Sequence, residues 1–150
     1  MITIRKATFE DKYKIQEVIN NTDFAQFCPA NLTEHTLVVE LENTIVGCGN
    51  LDIIEDLALI KFVYIIPKYR NQGLGDGLVR ALINYADRRN VKKIYIICDN
   101  KSEYFKRFGF KYVAATKCDR KLYESHSRNI KDQFIMELDV DEFFNSCHCH

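Results

Sequence analysis

The middle of this sequence places an amphipathic helix between two β-rich apolar runs. The first run, Leu57 to Ile66, ends at Pro67, and the second run extends from Lys93 to Cys98. Between them, residues 74–90 repeat apolar side chains at the three- and four-residue spacing of a helix with one buried face. Parallel strands need a crossover connection of this kind, so we predict that the two strands pair in parallel.

The segments on either side of this crossover predict further strands and short helices. Two alternating runs, Thr36–Leu41 and Ile45–Ile53, flank turn residues and predict an antiparallel hairpin. A capping-box pattern at Thr8–Asp11 predicts a helix that ends near Asn20. The other predictions are strands over Ile2–Arg5, Phe110–Ala115 and Gln133–Leu138, a short helix over Ser102–Phe108 stopped by Gly109, a helix or loop over 21–35, a loop over 116–132, and no assignment from Asp139 onward. We therefore predict one domain over residues 1–150, built on a mixed α/β sheet with helices on its faces.

The balance of acidic and basic residues argues against some classes of binding partner. The chain has 21 Lys and Arg against 21 Asp and Glu, so its formal net charge is zero. A protein that mainly binds nucleic acid or an anionic membrane needs a positive field, and we predict neither partner. The first residues lack the pattern of a secretion signal, and no apolar run is long enough to span a bilayer. We therefore expect a cytoplasmic protein whose six cysteines are thiols.

The segment between the first central strand and the long helix carries the clearest functional signal. Two glycines, Gly73 and Gly75, lead into the helix, and Lys68 and Arg70 lie just before them. Unpaired N–H groups at a helix N-terminus bind anions, and glycines let the main chain approach phosphate oxygens. The pattern predicts a diphosphate site, and the alternative is that the glycines serve only tight packing of the strand on the helix. It has neither the lysine of a nucleotide-hydrolysing loop nor the spacing of a dinucleotide fingerprint.

The residues of this segment also resemble those of a known family. Arg70-x-x-Gly73-x-Gly75 resembles the coenzyme A loop of the GCN5-related N-acetyltransferase (GNAT) superfamily, and it stands between a strand and a helix as in that family. Three further segments agree in the right order, namely Ile4–Ala7 with Asp11, Ile45–Gly49, and Phe105-x-x-x-Gly109-Phe110. The resemblance covers Ile2 to about Leu138.

The resemblance implies a mixed sheet of six or seven strands with about four helices, whose central parallel strands splay apart around acetyl-CoA. That co-substrate would lie along the strand ending at Pro67, with its pyrophosphate in the glycine loop. The implied cofactor-binding residues are Val63, Tyr64 and Ile65 through their backbone groups, the loop residues Arg70, Asn71, Gln72, Gly73, Leu74 and Gly75, and Asn100 beyond the second strand. No metal is implied.

The reaction that the resemblance implies is direct attack of an amine on the thioester, which needs a base and can use an acid. The family's usual acid, a tyrosine, is replaced here by Phe105, so the adjacent Tyr104 is the candidate. Candidate bases are Asp52 and Glu55, which with Asp56 we predict to lie in the turn before the first central strand. His35 and His126 flank the expected substrate side, where surface histidines are the simpler interpretation.

Three functions stay open from the sequence. The first is an N-acetyltransferase acting on the primary amine of a small molecule or amino acid, and the second acts on a protein amino group. The third is a non-catalytic acyl-CoA-binding module, a sensor or interaction domain, which the loss of the tyrosine favours. Family members are often dimers, so a homodimer is a further prediction. The terminal Cys147–His150 run has metal-ligand residue types, although neighbouring residues do not easily complete a tetrahedral site.

Overall fold

The computed structural model describes residues 1–27, 32–125 and 133–146. It contains one seven-stranded sheet with strand order β1-β2-β3-β4-β5-β7-β6. The strands are β1 (Ile2–Lys6), β2 (Thr36–Leu41), β3 (Thr44–Ile54), β4 (Leu57–Ile65), β5 (Lys93–Cys98), β6 (Lys111–Val113) and β7 (Phe134–Asp139). The helices are α1 (Lys12–Ile19), α2 (Leu74–Asp87), α3 (Arg120–Ser125) and α4 (Val140–Phe144), with 3₁₀ turns at Phe9–Asp11, Asp23–Phe27, Pro67–Tyr69, Tyr104–Phe108 and Ala115–Lys117.

Both kinds of strand pairing that the sequence predicts are present. β2 pairs antiparallel with β1 and with β3. β4 pairs in parallel with β5 over Leu57–Leu59 and Lys93–Tyr95, although each strand continues beyond these residues. The mixed seven-stranded sheet and its four α-helices confirm the predicted fold class.

The chain divides into two compact units. The first unit comprises residues 1–51 and 61–82. Its core cluster lies between α1 and the inner strands, and its buried members are Ala7, Ile15, Ile19, Leu32, Val38, Ile45, Cys48 and Phe62. Helix α2 packs so closely on β3 that a Cβ atom at Gly49 would lie 2.8 Å from Leu82 Cδ1. That atom is the end of a flexible side chain, so the short distance shows close packing of the helix on the strand.

The second unit comprises residues 52–60 and 83–150. Its core cluster joins the parallel strand pair to α3 and β7, and its buried members are Leu57, Leu59, Tyr95, Leu122 and Ile135. β7 pairs antiparallel with β5 on one side and with β6 on the other.

Several predicted elements are confirmed, and some differ in extent or kind. The capping box is present, since the Thr8 N–H donates to Asp11 Oδ2 at 2.8 Å. Strand β6 is shorter than Phe110–Ala115, and α2 ends at Asp87 instead of near Asn90. The prediction of a loop over 116–132 is wrong in part, because Arg120–Ser125 forms α3. The Asp139 side chain accepts from the Glu142 N–H and starts α4 in a segment without a predicted element.

The cysteine and membrane predictions are tested only over the described residues. Cys48, Cys98 and Cys118 are free thiols, of which Cys48 is buried and the other two are half-buried. No helix within residues 1–27, 32–125 and 133–146 combines the length and the apolar character needed to cross a bilayer.

Candidate functional site

The end of β4 has one edge hydrogen-bonded to β3 and the other edge turned away from it. The Ile66 N–H donates to Val46 O of β3 at 2.9 Å. Since backbone groups alternate in direction along a strand, Tyr64 also turns its N–H and C=O towards β3. Val63 and Ile65 therefore turn theirs towards the opposite edge. Of the three predicted backbone contacts, the geometry leaves two, Val63 and Ile65, suited to an extended ligand on that edge.

Arg70 joins the loop after β4 to the strand itself. Its Nε donates to Ile65 O at 2.8 Å, and its guanidinium carbon lies 5.3 Å from the centre of the Tyr64 ring. Arg70 thus already occupies the outward carbonyl of Ile65, which leaves the Ile65 N–H and both backbone groups of Val63 on this edge. This side-chain role of Arg70 is not contained in the loop motif.

The loop between Arg70 and α2 turns through two left-handed residues. Asn71 has φ 66° and Gly73 has φ 81°. A Cβ atom at Gly73 would meet no other atom within 4 Å, so the loop faces open space there. A backbone of this kind directs successive N–H groups towards one side, as anion-binding nests do.

The N-terminus of α2 adds further donors. The Gly77 N–H donates to Gly73 O at 3.1 Å as the first bond of the helix. The N–H groups of Leu74 and Gly75 therefore lie in the first turn, where a helix supplies no acceptor. Exposed Arg70 and Lys68 add positive charge beside them. The first unit thus brings the predicted loop residues 70–75 together in a form suited to a diphosphate.

The candidate bases in the second unit lie in different surroundings. Asp52 is a half-buried residue inside β3, so the prediction that it lies in the turn is wrong. Because side chains alternate along a strand, Asp52 shares a face with Ile54, which packs against the core cluster of the second unit. Glu55 is exposed in the turn with φ 54°. The neighbouring Asp56 accepts from Lys121 Nζ at 2.7 Å, and this contact lowers the pKa of the Asp56 carboxyl.

Tyr104, the candidate acid, lies in an aromatic cluster. Its ring centre is 5.0 Å from that of Phe105 and 5.6 Å from that of Phe108, both edge to face. The Arg107 guanidinium lies 4.4 Å from the Tyr104 ring centre. Phe105 in turn packs edge to face on Phe110. These contacts hold Tyr104 by its ring.

The remaining predicted positions are scattered. Asn100 is exposed two residues after β5. The Nε2 atom of His35 lies 3.8 Å from the Glu34 carboxylate, just before β2. His126 and the Cys147–His150 run lie outside the described residues. Within the part of the chain that the structure describes, no group of three or more His, Cys, Asp or Glu side chains is placed to hold a metal ion.

A buried polar network in the second unit was missed from the sequence. Tyr95 is 1 % exposed, and its hydroxyl donates to Glu137 Oε2 at 2.7 Å and accepts from the Asp119 N–H at 3.2 Å. Burial, followed by the bond to Glu137, raises the pKa of Tyr95 well above its ordinary value. Asp119 Oδ1 accepts from the Lys121 N–H at the start of α3. The network fixes α3 on the sheet. An aspartate directly before Arg120 was the one sequence signal for this helix start.

Known proteins share the fold of this chain and part of its sequence. A curated amino-acid acetyltransferase from Aeromonas salmonicida is 29% identical over 75 residues, which are 49% of this chain and 17% of that protein. N-acetylglutamate synthase from Neisseria gonorrhoeae, solved with coenzyme A and N-acetyl-glutamate, has a TM-score of 0.74 at 22% identity over 93% of this chain and 35% of its own. PaiA N-acetyltransferase from Thermoplasma acidophilum, solved with coenzyme A, has a TM-score of 0.68 at 18% identity, over 93% of this chain and 99% of its own.

The chain thus spans about a sixth of the curated relative and about a third of the synthase. At these identities the structural likenesses establish the fold. The family follows from the sequence, because the model of the acetyltransferase (GNAT) family matches residues 1–110. These residues include α1, the β2–β3 hairpin, β4, the glycine loop and α2. The chain belongs to the acetyltransferase (GNAT) family.

Proposed function

We propose that this protein transfers the acetyl group of acetyl-CoA to the primary amine of a small molecule or amino acid by direct attack. The observation that carries the proposal is the left-handed loop from Arg70 into α2, whose N–H groups and basic side chains suit a diphosphate. Family membership supports the acetyl donor, and the relatives' names support an amine acceptor.

The residues present fit acetyl-CoA as co-substrate. The first-turn N–H groups of α2 would hold its pyrophosphate, with Lys68 and Arg70 beside it. The outward backbone groups of Val63 and the Ile65 N–H would pair with the pantetheine amides, as a strand edge pairs with an extended peptide. Asn100 would contact the coenzyme beyond β5. The open space at Gly73 gives a phosphate room to approach the main chain.

The chemistry asked of the protein is mainly orientation. Holding the amine against the thioester removes the entropic cost of their encounter, and a backbone N–H of β4 would polarise the carbonyl oxygen. Asp52 is our candidate base, acting through water from its half-buried place on β3, with Glu55 as the second candidate. A thiol ionises near pH 8.5, so the leaving thiolate needs only a weak acid or none, and Tyr104 is the side-chain candidate.

One observation favours a second function, a non-catalytic acyl-CoA-binding module. Phe105 has no proton to donate, and Tyr104 is held by its ring among Phe105, Phe108 and Arg107. Such a module would bind the coenzyme without turnover. A cytoplasmic location, a homodimer and a single domain stay predictions under either function.

Coenzyme binding is tested by thermal unfolding with acetyl-CoA. A ligand at about ten times its Kd adds about 1.4 kcal/mol to stability, which should raise the Tm by about 3–6 °C. Gly75→Glu places a carboxylate in the first turn of α2 and should abolish the shift. Asn84→Glu adds the same charge to the exposed face of the same helix and should keep it. Equal shifts in both variants would exclude the loop as the coenzyme site.

Turnover is tested with a panel of amines by detecting the free thiol released from acetyl-CoA. Acetylation of a free amino acid or small amine supports the first function. Tight coenzyme binding without thiol release across the panel supports the non-catalytic module and contradicts the transferase. Asp52→Asn should lower kcat/KM for an accepted amine by about 10²-fold or more if Asp52 is the base.

A further inference from the structure

The first unit contains a cavity of about 570 Å³ that the proposed transfer does not use. One wall is helix α1, the other is the β2–β3 turn, and the floor is formed by the ends of β3 and β4. This volume lies within the range of small-molecule sites, about 300–1,000 Å³.

The helical wall presents both signs of charge on one stripe. Lys14, Glu17 and Val18 line the cavity from one face of α1, since they are three and four residues apart, and Asn21 lines it from the turn just after the helix. Among the residues that the structure describes, the side chains of Lys14 and Glu17 have no hydrogen-bond or ion-pair partner. The ammonium and the carboxylate are therefore both available to a ligand.

The opposite wall and the floor complete the lining. Asn43, held at φ 65° in the β2–β3 turn, adds an amide that faces the same cavity as Asn21. Ile45 and Tyr64 provide an apolar floor, and Tyr64 is half-buried there. The cavity thus has one cationic group, one anionic group, two amides, the hydroxyl residue Thr44 and a small apolar surface.

We propose that this cavity binds a compact zwitterion of the α-amino-acid class. The ligand's carboxylate would pair with Lys14 and its ammonium with Glu17, since residues three apart on a helix lie about 5–6 Å from each other. The two asparagines would bind a polar side chain, and the floor would cover its methylene groups. A phosphate or a polyanion is disfavoured by Glu17, and a simple amine is disfavoured by Lys14.

This site is separate from the proposed coenzyme site but adjoins it. The coenzyme would use the β4 edge that carries the outward groups of Val63 and Ile65, whereas the cavity lies over Ile45 and Tyr64. Tyr64 is shared, because the Arg70 guanidinium packs on its ring. The proposal concerns binding by the chain alone and does not rest on acetyl transfer.

The test measures binding of L-glutamine by calorimetry and ligand-observed NMR, without acetyl-CoA, beside n-butyrate and n-butylamine. L-glutamine should bind in one-to-one ratio with a Kd of about 1 mM or tighter, and each comparator should bind at least about tenfold more weakly. Lys14→Gln and Glu17→Gln should each weaken glutamine binding by about tenfold. The controls Lys12→Gln and Glu10→Gln change the same charges outside the cavity and should leave the Kd within about twofold.

Three results would overturn the proposal. The first is that glutamine does not bind at about 10 mM. The second is that the control variants lose as much affinity as the cavity variants, and the third is that n-butyrate or n-butylamine binds as tightly as glutamine. If transfer to an amine is established, Lys14→Gln should leave the KM for that amine within about twofold. A rise of about tenfold would assign the cavity to the acceptor and contradict a separate site. Glutamine binding without any acetyl transfer would support this site while the proposed transferase fails.

Discussion

Arg5 of β1 joins three elements of the first unit through its guanidinium. Its Nε donates to Glu40 Oε1 on β2 at 2.5 Å, and its Nη1 donates to Asp11 Oδ2, directly before α1, at 2.7 Å. Asp11 is only 6 % exposed. The hydrogen bond from Arg5 is the main cause that holds the pKa of Asp11 below its ordinary value, and the Thr8 N–H adds to it. Asp11 therefore stabilises the fold as a carboxylate.

We expect Asp11→Asn to lower the free energy of unfolding near pH 7 by about 1–3 kcal/mol, because a buried charge-assisted hydrogen bond is lost. The pKa of Asp11 is lower in the folded chain than in the unfolded chain. The carboxylate's contribution is thus complete above the unfolded value of about 4 and is lost as the pH falls through the folded value. In urea unfolding, the difference between wild type and variant should shrink from about pH 7 to about pH 3.

The matched control is Glu10→Gln, which removes an exposed carboxylate from the neighbouring position. It should change the unfolding free energy by less than about 0.5 kcal/mol at either pH. If the unfolding free energies of wild type and Asp11→Asn differ by the same amount at both pH values, the role given to the ionised carboxylate is contradicted.

At the scale of single residues, the sequence predicts main-chain roles better than side-chain partners. Gly73 was singled out because a turn into a helix needs it, and its left-handed φ agrees. The bond from Arg70 to Ile65 O and the bond from Tyr95 to Glu137 were not predictable. Arg70 bonds to a residue five positions earlier because the loop folds back on the strand, and Tyr95 bonds to a residue 42 positions later. No local sequence pattern encodes either contact.

At the scale of elements, Gly109 ends the 3₁₀ turn Tyr104–Phe108 with φ 102° and ψ 4°. Its N–H donates to Lys106 O at 3.0 Å, which completes the C-terminal cap. We expect Gly109→Ala to lower the free energy of unfolding by about 1 kcal/mol or more, since an L side chain is strained in this region. Gly109→Asn should cost less, because asparagine tolerates left-handed backbone better than alanine does. Urea unfolding of the three proteins measures the order, and an alanine variant as stable as wild type would exclude the strain.

Elements with a clear apolar pattern were predicted closely, and elements without one were not. β5 has the predicted bounds, Lys93–Cys98, because its apolar run is continuous and ends in polar residues. α3 was missed, since its six residues include one fully buried apolar side chain, Leu122, and a single contact has no periodicity. Its position depends on the Tyr95 network and on packing over β7, which are tertiary effects.

At the scale of the whole molecule, the strand–helix–strand crossover was the feature that predicted the architecture. It determined a parallel central pair, and the flanking hairpin then required a mixed sheet. The candidate coenzyme loop followed from the same segment, because a helix N-terminus after a strand is a local feature. The candidate base and acid were predicted less well, since Asp52 lies inside β3 and Tyr104 packs in an aromatic cluster that only the folded chain assembles.

The prediction of one domain is tested by cooperativity. β4 and α2 each contribute residues to both compact units, so unfolding of one unit would break elements of the other. We therefore expect one transition in urea, reported equally by Cys48 in the first unit and Cys98 in the second. Cys48 is fully buried, and burial raises the pKa of the Cys98 thiol, which slows its reaction in the folded chain.

A brief pulse of thiol reagent at each urea concentration, read by mass spectrometry of the two peptides, provides a midpoint for each cysteine. The two midpoints should coincide within about 0.2 M and agree with the midpoint from circular dichroism. As a control, the double variant Cys28→Ser and Cys118→Ser removes two other thiols that the reagent could modify. The midpoints of Cys48 and Cys98 should still coincide in this variant. If Cys98 became reactive at a clearly lower urea concentration than Cys48, the second unit would open by itself, and residues 1–150 would have to be treated as two domains.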